Sequence, residues 1–216
     1  MYIPEHFRER DAEAIVAFMR RQSFATLLSR CDGALIASHL PLLWRPDPEP
    51  WGTLVGHMAR ANPQWQSFAD REEALAIFQG PHAYISPSWY ATAPAVPTWD
   101  YVAVHAYGAP RLIEDSAELR AIVSETVRTF EAGFDAPWRM EDLPEEFVER
   151  MLRAVVGFEI PLSRVEAKAK LSQNRSEADR RGVIATLESG GDSLGREVAE
   201  LMGELLATPP SRSGRR

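Results

Sequence analysis

The stretch SFATLLSRCDGALIASHLPLLW, residues 23–44, decides the fold class. Two runs of strand-type residues flank Cys31-Asp32-Gly33, and an Asp-Gly turn between such runs marks a hairpin. Hairpin strands are antiparallel neighbours, so this sheet starts without the long crossover that parallel strands require.

Working outward supports the same class. Upstream, Asp11 can cap a helix to about Gln22, with Ile15, Phe18 and Met19 on one face. Downstream, RPDPEP reads as a loop and TLVGHMA as a strand. Asn62-Pro63 then opens a short helix, with Trp65 and Phe68 expected to face inward. ALAIFQG is a buried-type strand, a loop falls near 91–97, and residues 99–107 form a strand with APRLIE as its expected hairpin partner. Asp115 caps a helix to about Ala132, with Glu118 completing a capping box and Leu119, Ile122, Val123, Val127 and Phe130 on one face. Pro144 starts another helix. VVGFEIPL and SRVEAKAKL read as two strands, and helices follow from Ser176 to about Glu188 and from Asp192 to about Ala207.

Alternating βαβ units are absent. The predicted class is mainly β with flanking helices (α+β), a closed or split antiparallel barrel. Residues 1–188 read as the main domain, 189–207 as a C-terminal helix and 208–216 as a frayed polar tail.

The chain has 216 residues and a formal net charge of -7, which argues against a surface built throughout for nucleic acid. Its one cysteine, Cys31, cannot form an internal disulfide. No apolar run approaches the ~18 residues of a membrane span, and the N-terminus lacks a signal-peptide core, so a cytoplasmic protein is expected.

Three clusters could carry chemistry. His57, Arg60 and Asn62 lie where a strand gives way to a helix, and helix N-termini suit phosphate. Residues 79–108, QGPHAYISPSWYATAPAVPTWDYVAVHAYG, hold four of the five tyrosines and two of the six tryptophans. Flat side chains with polar tips at that density suggest a grip for a flat, polar-edged ligand. The third cluster runs from Arg164 to Arg181. It holds both of the chain's lysines, Lys168 and Lys170, two residues apart and so on one face of a strand. It reads either as an anion-binding stripe or as a solvated basic face. No phosphate loop, nucleophile elbow or metal spacing is present, and no nucleophile has a base beside it. Neither a catalytic residue nor a metal ligand is expected; any reaction would rest on a cofactor.

In order, these clusters resemble the PaiB family of FMN-binding negative transcriptional regulators. The likeness rests on MYIPEHF, LVGHMARANPQW, AIFQGPHAYISPSWY, VPTWDYVAVHAYG and VGFEIPLSRVEAKAKLSQNRSEADRRGV, spanning about residues 1–188. It implies a split β-barrel of the pyridoxamine phosphate oxidase-like type and a homodimer with FMN at the subunit boundary. Carried onto this chain, Arg60, Lys170 and Arg175 would hold the phosphate. Tyr84, Ser86, Trp89, Thr98 and Trp99 would flank the ring and ribityl chain, with Ser88 also in the cofactor-binding set. His57, Asn62, Gln173 and Asn174 complete the expected cofactor-binding set. Asp100 stands where the family pattern has Asn, and a carboxylate aimed into the site would repel an anion. Ala167 replaces a usual Gly. The alternative reading is an FMN-dependent oxidoreductase or flavin reductase without direct DNA binding. No helix-turn-helix is evident, so contact with DNA would fall to the 164–181 stripe, or regulation to a partner protein.

Overall fold

The structure, a computed structural model, describes residues 1–207; the expected tail at 208–216 lies outside the described residues. In chain order the elements are β1 (Arg8–Glu9), α1 (Ala12–Arg21), β2 (Phe24–Cys31), β3 (Ala34–Pro41), β4 (Leu43–Arg45), β5 (Thr53–Ala59), β6 (Ala74–Ile85), β7 (Thr98–Gly108), β8 (Arg111–Ile113), α2 (Ser116–Glu131), α3 (Glu145–Arg153), β9 (Val155–Lys170), α4 (Glu177–Ser189) and α5 (Ser193–Ala207). The strands form one sheet in the order β3-β2-β6-β7-β9-β5-β4, with β1 and β8 also pairing on β9.

The hairpin that opened the reading is present. Cys31 pairs with Ala34 in an antiparallel register. Asp32 and Gly33 both take positive φ, 51° and 79°. Two such residues make the turn whose twist matches that of the flanking strands.

The chain divides into two compact units, one of residues 11–78 and 104–166, the other of residues 1–10, 79–103 and the chain from 167. The larger unit buries Leu27, Leu54, Phe68, Phe78 and Phe158, with Phe68 and Phe158 meeting edge to face at 5.3 Å. Its helices α1 and α2 start as their caps dictate. Asp11 accepts from the backbone of Glu13 and Ala14, and Asp115 from Ala117 at 2.8 Å and Glu118 at 2.9 Å. Replacing Asp115 by alanine removes both bonds and is expected to cost about 1 kcal/mol. The check is thermal unfolding, where a loss of about 2–4 °C is expected.

Three expectations change. β8 pairs with β9, not with β7: Arg111, Leu112 and Ile113 oppose Glu159, Phe158 and Gly157. Gly157 makes room for it, since a Cβ there would come within 2.9 Å of Leu119 and 3.2 Å of Ile113. The two strands read in 155–171 are one 16-residue strand. Pro161 does not break it, because it sits at the end of the β5 ladder, opposite Thr53. In the turn at Pro63–Asp70, Phe68 is buried as expected but Trp65 is only half-buried. Gln64 is fully buried instead, its amide donating to Leu27 O at 3.0 Å and Ser29 Oγ at 3.1 Å.

The smaller unit has its own core: Ile85, Leu171, Val183, Leu187, Val198 and Met202. Helix α5 contributes Val198, Ala199 and Met202 to it. Among the described residues no helix is long and apolar enough to cross a membrane.

Candidate functional site

Along β6 the side chains alternate, so Ala83 and Ile85 are buried while Tyr84 stands out at 47% exposure. Beyond Ile85 the chain enters a single 3₁₀ turn, Pro87–Trp89. Ser86 fixes it, its Oγ accepting from Ser88 N at 3.3 Å and sharing a hydrogen bond with Ser88 Oγ at 2.8 Å. At the start of β7, Trp99 is 54% exposed. Tyr84 and Trp99 meet edge to face with centroids 6.0 Å apart, and His82 lies 6.1 Å from Trp99.

These rings form one wall of a cavity of about 500 Å³; Leu187, Gly190, Gly191 and Gly195 of the α4–α5 hairpin form the other. That size falls in the range of small-molecule and cofactor sites. The two walls touch at Gly182: a Cβ there would lie 2.2 Å from Trp89 O.

Beside this wall sits a charge network. The Lys170 ammonium donates to Thr98 Oγ1 at 2.6 Å, to Trp99 O, and to Asp100 Oδ1 at 3.2 Å. Asp100 is fully buried and its other oxygen accepts from Ser172 Oγ at 2.6 Å. Burial pushes the Asp100 carboxyl above the usual carboxylate range, against the pull of Ser172, Lys170 and the field of Arg175. The feared repulsion does not arise within this unit, because Asp100 faces these partners inside the fold. Ser172 has φ 59°, and Gln173 closes the turn by accepting from Leu171 N at 2.8 Å and donating to Ala169 O at 2.6 Å. The turn delivers Arg175, whose guanidinium lies over the Tyr90 ring, 4.5 Å from its centroid. The Tyr90 hydroxyl and Arg180 Nε are buried without a hydrogen-bond partner. Asn174 is exposed.

The basic stripe is largely consumed. Lys168 is buried, donating to Tyr2 O at 3.2 Å with its ammonium 5.0 Å from the Tyr101 ring centroid. Arg164 pairs with Glu73 and Glu166, and Arg181 with Glu177. The two lysines share a strand face as their spacing requires, yet neither is a free surface cation.

His57, Arg60 and Asn62 belong to the larger unit, as do His105 and Tyr107 from the end of the aromatic block. Arg60 donates to the carbonyls of Arg153 at 2.8 Å and Val155 at 2.9 Å, tying β5 to the start of β9. Asn62 accepts from Gln64 N at 3.0 Å and donates to Ser38 Oγ at 2.7 Å. Arg60, expected to hold the phosphate, binds backbone carbonyls here, and Asn62, expected in the cofactor-binding set, caps its turn and bonds a neighbouring strand. His57 Nδ1 is buried without a hydrogen-bond partner, and burial lowers the ring's pKa. Tyr107 lies under Arg164, whose guanidinium is 3.5 Å from the ring centroid.

Sequence reasoning missed the α4–α5 wall and Gly182. The one available signal was Gly190-Gly191 ahead of a helix. Nothing local ties those glycines to an aromatic block 100 residues earlier.

Residues 1–164 match a family model described as "Putative FMN-binding domain". The chain is 39% identical over 206 residues to "Protease synthase and sporulation protein PAI 2" of Bacillus subtilis (strain 168), covering 95% of this chain and 98% of that protein. Among solved structures, the flavocytochrome Anf3 of Azotobacter vinelandii matches with a TM-score of 0.60 at 12% identity, over 78% of this chain and 72% of that one. The FAD and heme binding protein of Mycobacterium smegmatis matches with a TM-score of 0.54 at 16% identity, over 76% and 73%. The fold is the antiparallel split-barrel class with flanking helices.

Proposed function

Because the chain belongs to the PaiB-type FMN-binding family, we propose that it is a homodimeric negative regulator of transcription whose flavin seats in the aromatic cavity of the smaller unit. FMN is the family's cofactor, and when bound it supplies the redox chemistry of its ring.

The observation that carries this reading is the wall of Tyr84 and Trp99. Two large rings stand about half exposed over a cavity of about 500 Å³. Isolated exposed apolar residues need no explanation, but rings gathered at one cavity suit a flat partner. In this arrangement Tyr84, Trp89 and Trp99, which line the cavity, flank the ring system. In this reading a second copy of the chain covers the half-exposed rings and completes the site.

Freshly purified protein should show a flavin absorption spectrum, and added FMN should raise its melting temperature. Trp99→Ala should weaken FMN about three- to tenfold, the scale of one aromatic stacking contact. It should barely change stability, because the ring is half exposed. Colourless protein with no thermal shift would count against the reading.

Regulation through a partner protein fits better than direct repression. The net charge is -7, and three cations of the stripe that could have met DNA, Arg164, Lys170 and Arg181, are paired with Glu73 and Glu166, with Asp100 and with Glu177. DNA affinity comes chiefly from cations neutralising phosphates. Pure protein is therefore expected to leave duplex DNA unshifted in a gel even at low salt. A salt-sensitive shift would restore direct binding.

A further inference from the structure

A second cavity lies wholly within the larger unit, at the C-terminal end of α2. Its volume is about 460 Å³, a size that suits a small molecule. Val127, Arg128 and Glu131 stand three and four residues apart on one face of α2, and residues 137–141 form the facing side. That segment is held by the fold itself. Glu131 Oε2 accepts from Trp138 N at 2.7 Å, Met140 is buried, and Leu143 N closes a single turn on Met140 O at 3.2 Å.

The lining divides by chemistry. Val127, Met140 and the half-exposed Trp138 ring offer an apolar surface, and a ring ligand gains from both the indole face and the thioether. Among the described residues the side chains of Arg128, Arg139 and Glu141 have no hydrogen bond and no ion pair. By contrast Arg45, Arg111, Arg120 and Arg164 of the same unit each have a glutamate partner. Glu131 is spent on the Trp138 amide. The free charges at the cavity are therefore two cations and one carboxylate, and the C-terminal carbonyls of α2 add a partial negative charge.

We propose that this cavity binds a free α-amino acid with an aromatic side chain. The ligand carboxylate goes to Arg128 and Arg139, whose forked donors match its two oxygens. The ammonium goes to Glu141 and the C-terminal end of α2, and the ring lies against Trp138, Met140 and Val127. A simple anion would face Glu141 unpaired, and a simple amine would meet two guanidinium groups. A ligand carrying both charges satisfies the whole set. None of these residues lines the aromatic cavity of the smaller unit, so the site does not depend on the flavin reading.

The test is calorimetric titration of the full-length protein with L-phenylalanine, with phenethylamine, which lacks the carboxylate, and with 3-phenylpropionate, which lacks the amine. Wild type should bind phenylalanine about tenfold more tightly than phenethylamine, as for hydrogen bonds to a charged group. It should prefer phenylalanine to 3-phenylpropionate about two- to fivefold, the scale of an exposed ion pair. Arg128→Gln and Arg139→Gln together should erase the first preference and leave phenethylamine no weaker. Glu141→Gln should erase the second and leave 3-phenylpropionate no weaker. Trp138→Ala should weaken all three ligands alike. Arg128, Arg139 and Glu141 are exposed, so the melting temperature of their variants should stay near that of wild type. The proposal is overturned if wild type binds none of the three, if it does not prefer phenylalanine, or if the charge variants weaken the analogues as much as phenylalanine.

Discussion

Asp100→Ala is expected to destabilise the protein by about 3 kcal/mol, the low end for removing one partner of a buried charged pair. For a chain of this size that is a fall in melting temperature of about 6–12 °C. The low end applies because Lys170 keeps Thr98 and the Trp99 carbonyl, and its side chain is 18% exposed. Ser172 loses its acceptor as well. Asp100→Asn should cost far less, since an amide fills the same space without a charge to desolvate. The two variants separate in their pH dependence. Burial raises the folded-state pKa of Asp100, so the folded protein holds that proton more tightly than the unfolded chain. The stabilisation this provides is full below the unfolded pKa and is lost as pH rises through the raised value. Wild type should therefore show a downward component of stability as pH rises above the ordinary carboxylate range, and Asp100→Asn should lack it. Thermal melts in steps of pH measure both effects. Equal stability of wild type and Asp100→Ala at neutral pH would show that the pair contributes nothing.

Gly182→Ala should be comparably severe for an opposite reason. On an ordinary helix this change gains about 1 kcal/mol of helix propensity. Here the new methyl would sit 2.2 Å from Trp89 O, a backbone atom in a capped turn that cannot rotate away. Overpacking at a site that cannot yield costs about 3 kcal/mol or more, so the steric cost wins and a net loss of about 2 kcal/mol or more is expected. The methyl would also move α4 away from Trp89. Leu187 on that helix lines the cavity opposite the rings, so FMN affinity should fall with stability. Denaturant melts and a flavin titration on the same sample test this. A variant more stable than wild type would mean that the approach of α4 to Trp89 is looser than described.

Much of the fold was legible because its signals are local. The Asp-Gly turn, the caps Asp11, Asn62 and Asp115, and the alternation of β6 each depend on residues within a few positions. What went astray was non-local. The strand at 111–113 was assigned to its nearest neighbour, but its place is set by the space at Gly157, more than 40 residues on. The segment read as two strands, VVGFEIPL and SRVEAKAKL, is one, because Pro161 falls at the end of the β5 ladder and can stand in a continuous strand.

The candidate site divides along the same line. Sequence alone determined the antiparallel class, the aromatic block, the pair of lysines on one strand face and the likeness to a flavin-binding family. All of these are properties of residue type and short spacing. Only the tertiary structure decided which cation is spent and which is free. Lys170 and Arg175 look equivalent in KLSQNR, yet one meets Asp100 from β7 and the other rests on Tyr90. Only the fold, likewise, set Leu187 and Gly190 opposite Trp99. The reason is physical: an ammonium's partners are chosen by distance in space, and some 70 residues of chain separate Lys170 from the carboxylate that neutralises it.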